Sequence, residues 1–80
     1  MNTQNNIIIY STPSCPYCVM AKSFFKEKGI AFEDVDVSRD HMKAQEMVNK
    51  SGQMGVPVVE INGNIVVGFQ PNVFDQLLQK

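Results

Sequence analysis

Two cysteines, Cys15 and Cys18, are the residues of this chain best suited to covalent chemistry. They stand three apart, with Pro16 and Tyr17 between them. On a helix the second lies one turn after the first, on the same face. That spacing brings two sulfurs within bonding range without bending the backbone. Pro16 suits the first position of a helix, where no N–H is needed, so Cys15 is expected at the N-cap. There the free N–H groups of Tyr17 and Cys18 can point at the sulfur, and the helix dipole adds partial positive charge. Both effects favour the thiolate, the reactive form of cysteine. Cys15 is then a nucleophile for a substrate disulfide. Cys18, more buried, resolves the mixed disulfide and leaves a Cys15–Cys18 disulfide behind.

Two plainer readings compete. A Cys-x-x-Cys pair is half of many zinc sites, but zinc takes four ligands. The other soft ligand is His41, without a partner on a later helix, so a zinc site within one chain is disfavoured. Two inert core cysteines would not call for a proline between them at a helix start. Two cysteines are also too few for a disulfide scaffold.

The elements that must position this pair alternate along the chain. Residues 7–10 are apolar on both faces and β-branched, as a buried central strand is. Ser11-Thr12-Pro13-Ser14 breaks that strand with turn chemistry. A helix is predicted over residues 16–28, with Cys18, Ala21 and Phe25 on its buried face, Met20 and Phe24 extending that face, and Gly29 just past its end. A second strand is predicted over residues 31–37, and a second helix over residues 40–50 with Ser38 or Asp40 as its cap and Met47 and Val48 facing the core. Residues 58–61 and 65–67 are two short strands joined by Asn62-Gly63, the pattern of a type I′ hairpin. Pro71 opens a last helix whose apolar stripe is Val73, Phe74, Leu77 and Leu78. The order β-α-β-α-β-β-α predicts an α/β domain spanning residues 1–80. A right-handed crossover makes the first two strands parallel, the hairpin adds an antiparallel pair, and a four-stranded mixed sheet is flanked by three helices.

Composition bounds the rest. The chain has 80 residues, 44% of them hydrophobic, enough for one modest core. Seven basic and eight acidic residues leave a formal charge of −1, which argues against nucleic-acid binding and a polybasic membrane patch. Residues 1–6 are polar and lack the basic start and apolar stretch of a signal peptide, so a cytoplasmic location and no membrane partner are expected. No apolar excess argues for an obligate dimer, and a monomer is expected. The methionines read as gap-filling core candidates.

The segment Tyr10-Ser11-Thr12-Pro13-Ser14-Cys15-Pro16-Tyr17-Cys18 resembles the active-site segment of glutaredoxins, including their Cys-Pro-Tyr-Cys core. Gly55-Val56-Pro57-Val58-Val59 resembles the family's Val-Pro motif, whose proline is cis; Ile61-Asn62-Gly63 and Gly68 match the hairpin and its end. The resemblance covers residues 7–78. It implies the thioredoxin fold, with the first strand central and the cysteines at its carboxyl end. It implies no tightly bound cofactor, glutathione as a co-substrate, disulfide-containing proteins as clients, and Thr12, Pro16, Tyr17, Val56, Pro57, Gly68, Phe69 and Gln70 as the residues around substrate or glutathione. With Pro57 cis, the Val56 backbone offers one rung of β-pairing to an extended substrate.

Two departures bear on the source of electrons. Many glutaredoxins carry a lysine a few residues before the first cysteine, which contacts a carboxylate of glutathione; here Thr12 stands near that place. Many read close to Gly-Gly-Cys-Asp at the start of the last helix, where the γ-glutamyl end binds; here the run is Gly68-Phe69-Gln70-Pro71-Asn72. Losing two charge-assisted contacts weakens an anionic tripeptide site. The Gly-Phe-x-Pro run resembles instead the thioredoxin-like electron donors of ribonucleotide reductase, which are fed by a flavoprotein, thioredoxin reductase. The Pro16-Tyr17 pair favours glutathione, so a glutathione-linked oxidoreductase is the first expectation and a reductase-linked donor the alternative. A module of another class, in which two subunits hold an iron–sulfur cluster through cysteine thiolates, is the third; Pro16 after the first cysteine is unfavourable for it.

Overall fold

A computed structural model of the chain describes residues 5–78. Along it run β1 (Ile7–Ser11), α1 (Pro16–Glu27), β2 (Glu33–Asp36), α2 (His41–Ser51), β3 (Val58–Ile61), β4 (Asn64–Val67) and α3 (Pro71–Leu77). This is the order read from the sequence. The sheet runs β2-β1-β3-β4, with β1 parallel to β2 and antiparallel to β3, and β3 antiparallel to β4.

The all-apolar start of β1 has the reason expected of it, since both faces of the sheet are covered. Ile7 and Ile9 project into a core shared with Ala21 and Phe25 of α1 and Phe74 of α3. Tyr10, from the opposite face, joins Val35, Val58 and Met47 of α2, with Ile8 partly buried beside them. So α1 and α3 cover one face and α2 the other. The α1/α3 side is an aromatic cluster: the Phe25 and Phe74 rings are 5.4 Å apart, and Phe24, Phe32 and Phe69 pack around them. Such pairs each add about 0.5–1.5 kcal/mol beyond the area they bury.

The helix ends follow local chemistry. Gly29, at φ 71°, ends α1 in a Schellman motif, with Ile30 N–H donating to Phe25 C=O (2.9 Å) and Gly29 N–H to Lys26 C=O (3.1 Å). Of the two residues proposed to cap α2, Asp40 does so, accepting from the N–H groups of Met42 (3.0 Å) and Lys43 (3.1 Å). Ser38 instead donates its hydroxyl to Asp36 (2.6 Å). Asn62 and Gly63 take φ of 51° and 88°, the two left-handed residues of a type I′ turn.

Some expectations are corrected. The second strand is shorter than residues 31–37, because pairing begins with Ile8 opposite Glu33, one residue into β1. Phe32 upstream packs into the core without a ladder. Met47 is buried, but Met20, Met42 and Met54 are 45%, 83% and 81% exposed and fill no gap. Met20 lies off the stripe that Cys18, Ala21 and Phe25 bury, so it does not extend that face. Met1 lies outside the described residues. Among the described residues no helix is long and apolar enough to cross a membrane.

Candidate active site

The carboxyl end of β1 leads straight into the cysteine turn. After Ser11 the chain turns over residues 12–14, and Cys15 N–H closes that turn on Thr12 C=O (3.3 Å). Cys15 is extended (φ −92°, ψ 112°) and caps α1, with Pro16 at its first position. The Cys15 Sγ accepts a hydrogen bond from Cys18 N–H at 3.2 Å. Of the two N–H groups expected to face the sulfur, it is that of Cys18 which does. A helix N-terminus aimed at this sulfur stabilises negative charge on it.

The two sulfurs differ in surroundings. Both cysteines are free thiols; Cys15 is half-buried and Cys18 fully buried. Burial, and then the hydrogen bond with Cys15, push the Cys18 thiol up to about 11, against a hydrogen bond from the Thr12 backbone and the charge of Lys22, which pull it down. Desolvation disfavours a thiolate, and a neighbouring cation favours one.

The second wall comes from the loop before β3. The Val56–Pro57 peptide bond is cis, as the family comparison implied. It sets the Val56 carbonyl within 3.9 Å of Cys15 Sγ–H. Pro57 is buried and Val56 half-buried, and ladder pairing with β1 begins only at Val58, so the Val56 backbone lies at the open end of the sheet. Gly68, at φ 86°, is tied to this loop by its N–H to Pro57 C=O (2.8 Å). The structure thus gathers Thr12, Cys15, Pro16, Tyr17, Cys18, Val56, Pro57 and Gly68 at one end of the sheet.

Phe69 and Gln70 sit at the margin. The Phe69 ring packs edge-on to Phe74 (5.9 Å) and lines a groove of about 310 Å³ with Val19, Met20, Ser23, Phe24 and Glu27. The Gln70 amide turns back and donates to Val67 C=O (2.7 Å). It makes no side-chain cap for α3, which is only seven residues long. Tyr17 is 61% exposed beside the nucleophile. A concavity of about 560 Å³ lies at the far end of β1 among Asn6, Ile7, Phe32, Glu33 and Glu60, away from both cysteines. Among the described residues no group of three or more His, Cys, Asp or Glu could hold a metal ion. His41 is an exposed first residue of α2.

Sequence reading missed one polar group beside the cysteines. Lys22 Nζ pairs with Asp34 Oδ2 (2.9 Å), and the buried Ser11 hydroxyl donates to Asp34 Oδ1 (2.9 Å). A signal was present: Lys22 follows Cys18 by four, placing a cation one turn on along that face of the helix. Its carboxylate partner on β2 was not legible without the strand register.

Comparisons with known proteins bear on the family and the fold. The family profile described as Glutaredoxin matches residues 7–66. A glutaredoxin-like 8.6 kDa protein in the rubredoxin operon of Clostridium pasteurianum is 49% identical over 74 residues, which cover 92% of this chain and 99% of that protein. Glutaredoxin 3 of Escherichia coli (strain K12) is 33% identical over 63 residues, 79% of this chain and 76% of its own. Among solved structures, the thioredoxin-like protein BC3987 superposes with a TM-score of 0.85 at 36% identity, covering 91% of this chain and all (100%) of that one. The glutaredoxin-like protein NrdH-redoxin from Escherichia coli, reported with a thioredoxin-like activity profile, gives 0.80 at 28% identity, over 94% and 97% of the two chains.

Proposed function

We propose, from the premise that this chain belongs to the glutaredoxin family, that it is a dithiol oxidoreductase that reduces disulfides of proteins or small molecules through Cys15 and Cys18. The observation that carries this reading is the position of Cys15 Sγ: it caps α1, accepts the Cys18 N–H at 3.2 Å, and faces the cis Val56–Pro57 loop at 3.9 Å. One sulfur is accessible and held by helix-terminal charge; the other is buried one turn behind it.

The chemistry follows in two displacements. The Cys15 thiolate attacks one sulfur of a substrate disulfide; a Cys15–substrate S–S bond forms and the other substrate sulfur leaves as a thiolate. An extended substrate chain lies along the Val56 backbone, which the sheet leaves unpaired. Cys18 then loses its proton and attacks Cys15 Sγ. The Cys15–Cys18 bond forms, and the second substrate sulfur departs with the electron pair and takes up a proton. Two electrons have passed from the dithiol to the substrate, and an external thiol must return them. The protein works in this reading as a cytoplasmic monomer, with glutathione or a flavoprotein disulfide reductase as reductant and no tightly bound cofactor.

A specific observation favours the reductase as electron source. The Gln70 amide is committed to Val67 C=O at 2.7 Å, and Thr12 offers no cation at the mouth of the site. The places where glutathione's charged ends would be held therefore present neither a lysine nor a free amide, whereas Pro16-Tyr17 is the pair that speaks for glutathione. The test is NADPH oxidation with a small disulfide substrate in two arms, one with glutathione and glutathione reductase, the other with thioredoxin reductase alone. Turnover in the second arm only supports the reductase-fed reading. Turnover in the first arm only restores glutathione as co-substrate, and turnover in neither removes the proposed activity.

A further inference from the structure

The buried thiol must become a thiolate during each cycle, yet its surroundings oppose the charge. Two things stand against that opposition, a hydrogen bond from the Thr12 backbone and a fixed cation. Lys22 follows Cys18 by one turn of α1, so both side chains share a helix face. Its ammonium is not free to wander: it pairs with Asp34 Oδ2 at 2.9 Å, and its side chain is only 22% exposed. Asp34 is held in turn, because its other oxygen accepts from the hydroxyl of Ser11, which is 1% exposed at the carboxyl end of β1. Asp34 stands opposite Ile9 in the β1–β2 register, on the sheet face that α1 covers. Three elements thus converge on one lysine beside the resolving cysteine.

An ion pair on an open surface contributes little to stability. The Asp34 side chain is 46% exposed, so this pair too adds little to stability; its effect falls on the buried thiol one helical turn away, because a buried serine fixes the carboxylate that holds the cation. We infer that Lys22, held by Asp34 and Ser11, is a positioning residue for the resolving step, placing a cation where negative charge develops on Cys18 Sγ. The inference rests on the dithiol reading of Cys15 and Cys18. It acts in both directions of exchange, since Cys18 is the attacking thiolate when a mixed disulfide resolves and the leaving thiolate when a reductant opens the Cys15–Cys18 bond.

The other groups around Cys18 are few. Cys15 and the Thr12 backbone contact it from the cap and the preceding loop. β2 supplies Asp34 and Asp36, both of which feel Lys22. Glu60, the charged residue of β3, is bound to Lys50 at 2.7 Å. Lys22 is the cation among the groups that act on this thiol.

The magnitude is bounded by two opposing effects. An opposite charge within about 4–6 Å of a titrating group moves its titration by about one to three pH units; Lys22 acts on Cys18 through space, without a hydrogen bond, and its partner Asp34 offsets part of that charge, which puts the effect at the low end, about one. Removing the cation then lowers the thiolate fraction about tenfold. The more basic thiolate is about threefold more nucleophilic, so the net rate falls about threefold near neutral pH.

Stopped-flow reaction of the intact reduced protein with equimolar dithiobis-nitrobenzoate separates the steps. Attack by Cys15 releases one nitrothiobenzoate; attack by Cys18 on Cys15 Sγ releases the second with its electron pair, the Cys18 proton going to water. In Lys22→Gln the first release is expected within twofold of the parent, which also reports that the site is folded. The second is expected about threefold slower, with its pH midpoint about one unit higher, and Lys22→Arg is expected to restore both. A second release in Lys22→Gln that matches the parent in rate and midpoint overturns the inference, as does Lys22→Arg behaving like Lys22→Gln. A parent protein that gives no second release overturns the dithiol reading itself, which is a separate failure.

Discussion

The asymmetry between the two thiols has a measurable signature in the pH dependence of Cys18 reactivity. Burial and the hydrogen bond with Cys15 push the Cys18 thiol up to about 11. At pH 7 its thiolate fraction is then about one in ten thousand, against about one in thirty for a free thiol near 8.5. Thiolate concentration is therefore about three-hundredfold lower. The greater nucleophilicity of a more basic thiolate recovers roughly tenfold to fifteenfold of that. Cys18 in the reduced protein should alkylate about twentyfold to thirtyfold more slowly than a free cysteine at pH 7, and more slowly still because the sulfur is covered. The rate should climb about tenfold per pH unit up to about pH 10, where a free thiol has already levelled. Initial-rate labelling with substoichiometric iodoacetamide, followed by fragment mass spectrometry that separates the two cysteines, reads both profiles at once. A Cys18 profile that levels at or below pH 8.5, or a rate at pH 7 equal to that of a free thiol, would refute the electrostatic argument and with it the division of roles.

Further expectations follow from other parts of the structure. Cys15→Ser should abolish NADPH-coupled turnover of every disulfide substrate; retained turnover would remove its assignment as nucleophile. Cys18→Ser should accumulate mixed disulfides with protein substrates on non-reducing gels, while still permitting turnover of glutathione mixed disulfides if glutathione is the true partner. Asp40→Ala removes the acceptor for two N–H groups at the start of α2, a loss of about 1 kcal/mol that should lower Tm by roughly 5 °C; an unchanged Tm would show that the cap contributes nothing. Because the Cys18 thiol is raised by folding, it contributes stability that is complete below about pH 8.5 and is lost as pH rises toward 11. The buried Tyr10 phenol, raised chiefly by burial and then by its bond to Glu46, acts in the same sense. Urea unfolding should therefore show a loss on going from pH 8 to 10.5 to which Cys18 contributes about 2–3 kcal/mol, and Cys18→Ala should show a shallower loss; equal losses in both would refute the Cys18 contribution.

The legible parts of the fold were those that local chemistry decides. Strand β1 announces itself because a residue run buried on both faces must be apolar throughout, and α1 because Pro16 and Gly29 bracket an apolar stripe. The Asn62-Gly63 turn needs two residues at positive φ, which few dipeptides supply as readily. The cysteine geometry belongs to the same class, since a cap, a proline and a three-residue spacing are all contained in one turn of helix.

What escaped was set by partners distant in the chain. The methionines are equally apolar, and only the packing of α2 on β1 and β3 selects Met47 for the core while Met42, on the same helix, stands 83% exposed. Tyr10 reads as one more apolar strand residue, yet its hydroxyl donates to Glu46 and accepts from Lys50 (3.2 Å), which also reaches Glu60 (2.7 Å), so one phenol ties α2 to two strands. Lys22 shows the same limit at the site itself. Its distance from Cys18 is written in the helix repeat, but what turns a mobile surface cation into a fixed one is Asp34, twelve residues further along, brought alongside by the parallel pairing of β1 and β2. The nucleophile is therefore a local feature of one turn, whereas the surroundings of the resolving thiol are assembled by the sheet. Substitutions within residues 12–17 should act first on attack by Cys15, and substitutions at Ser11, Cys18, Lys22 or Asp34 first on resolution by Cys18.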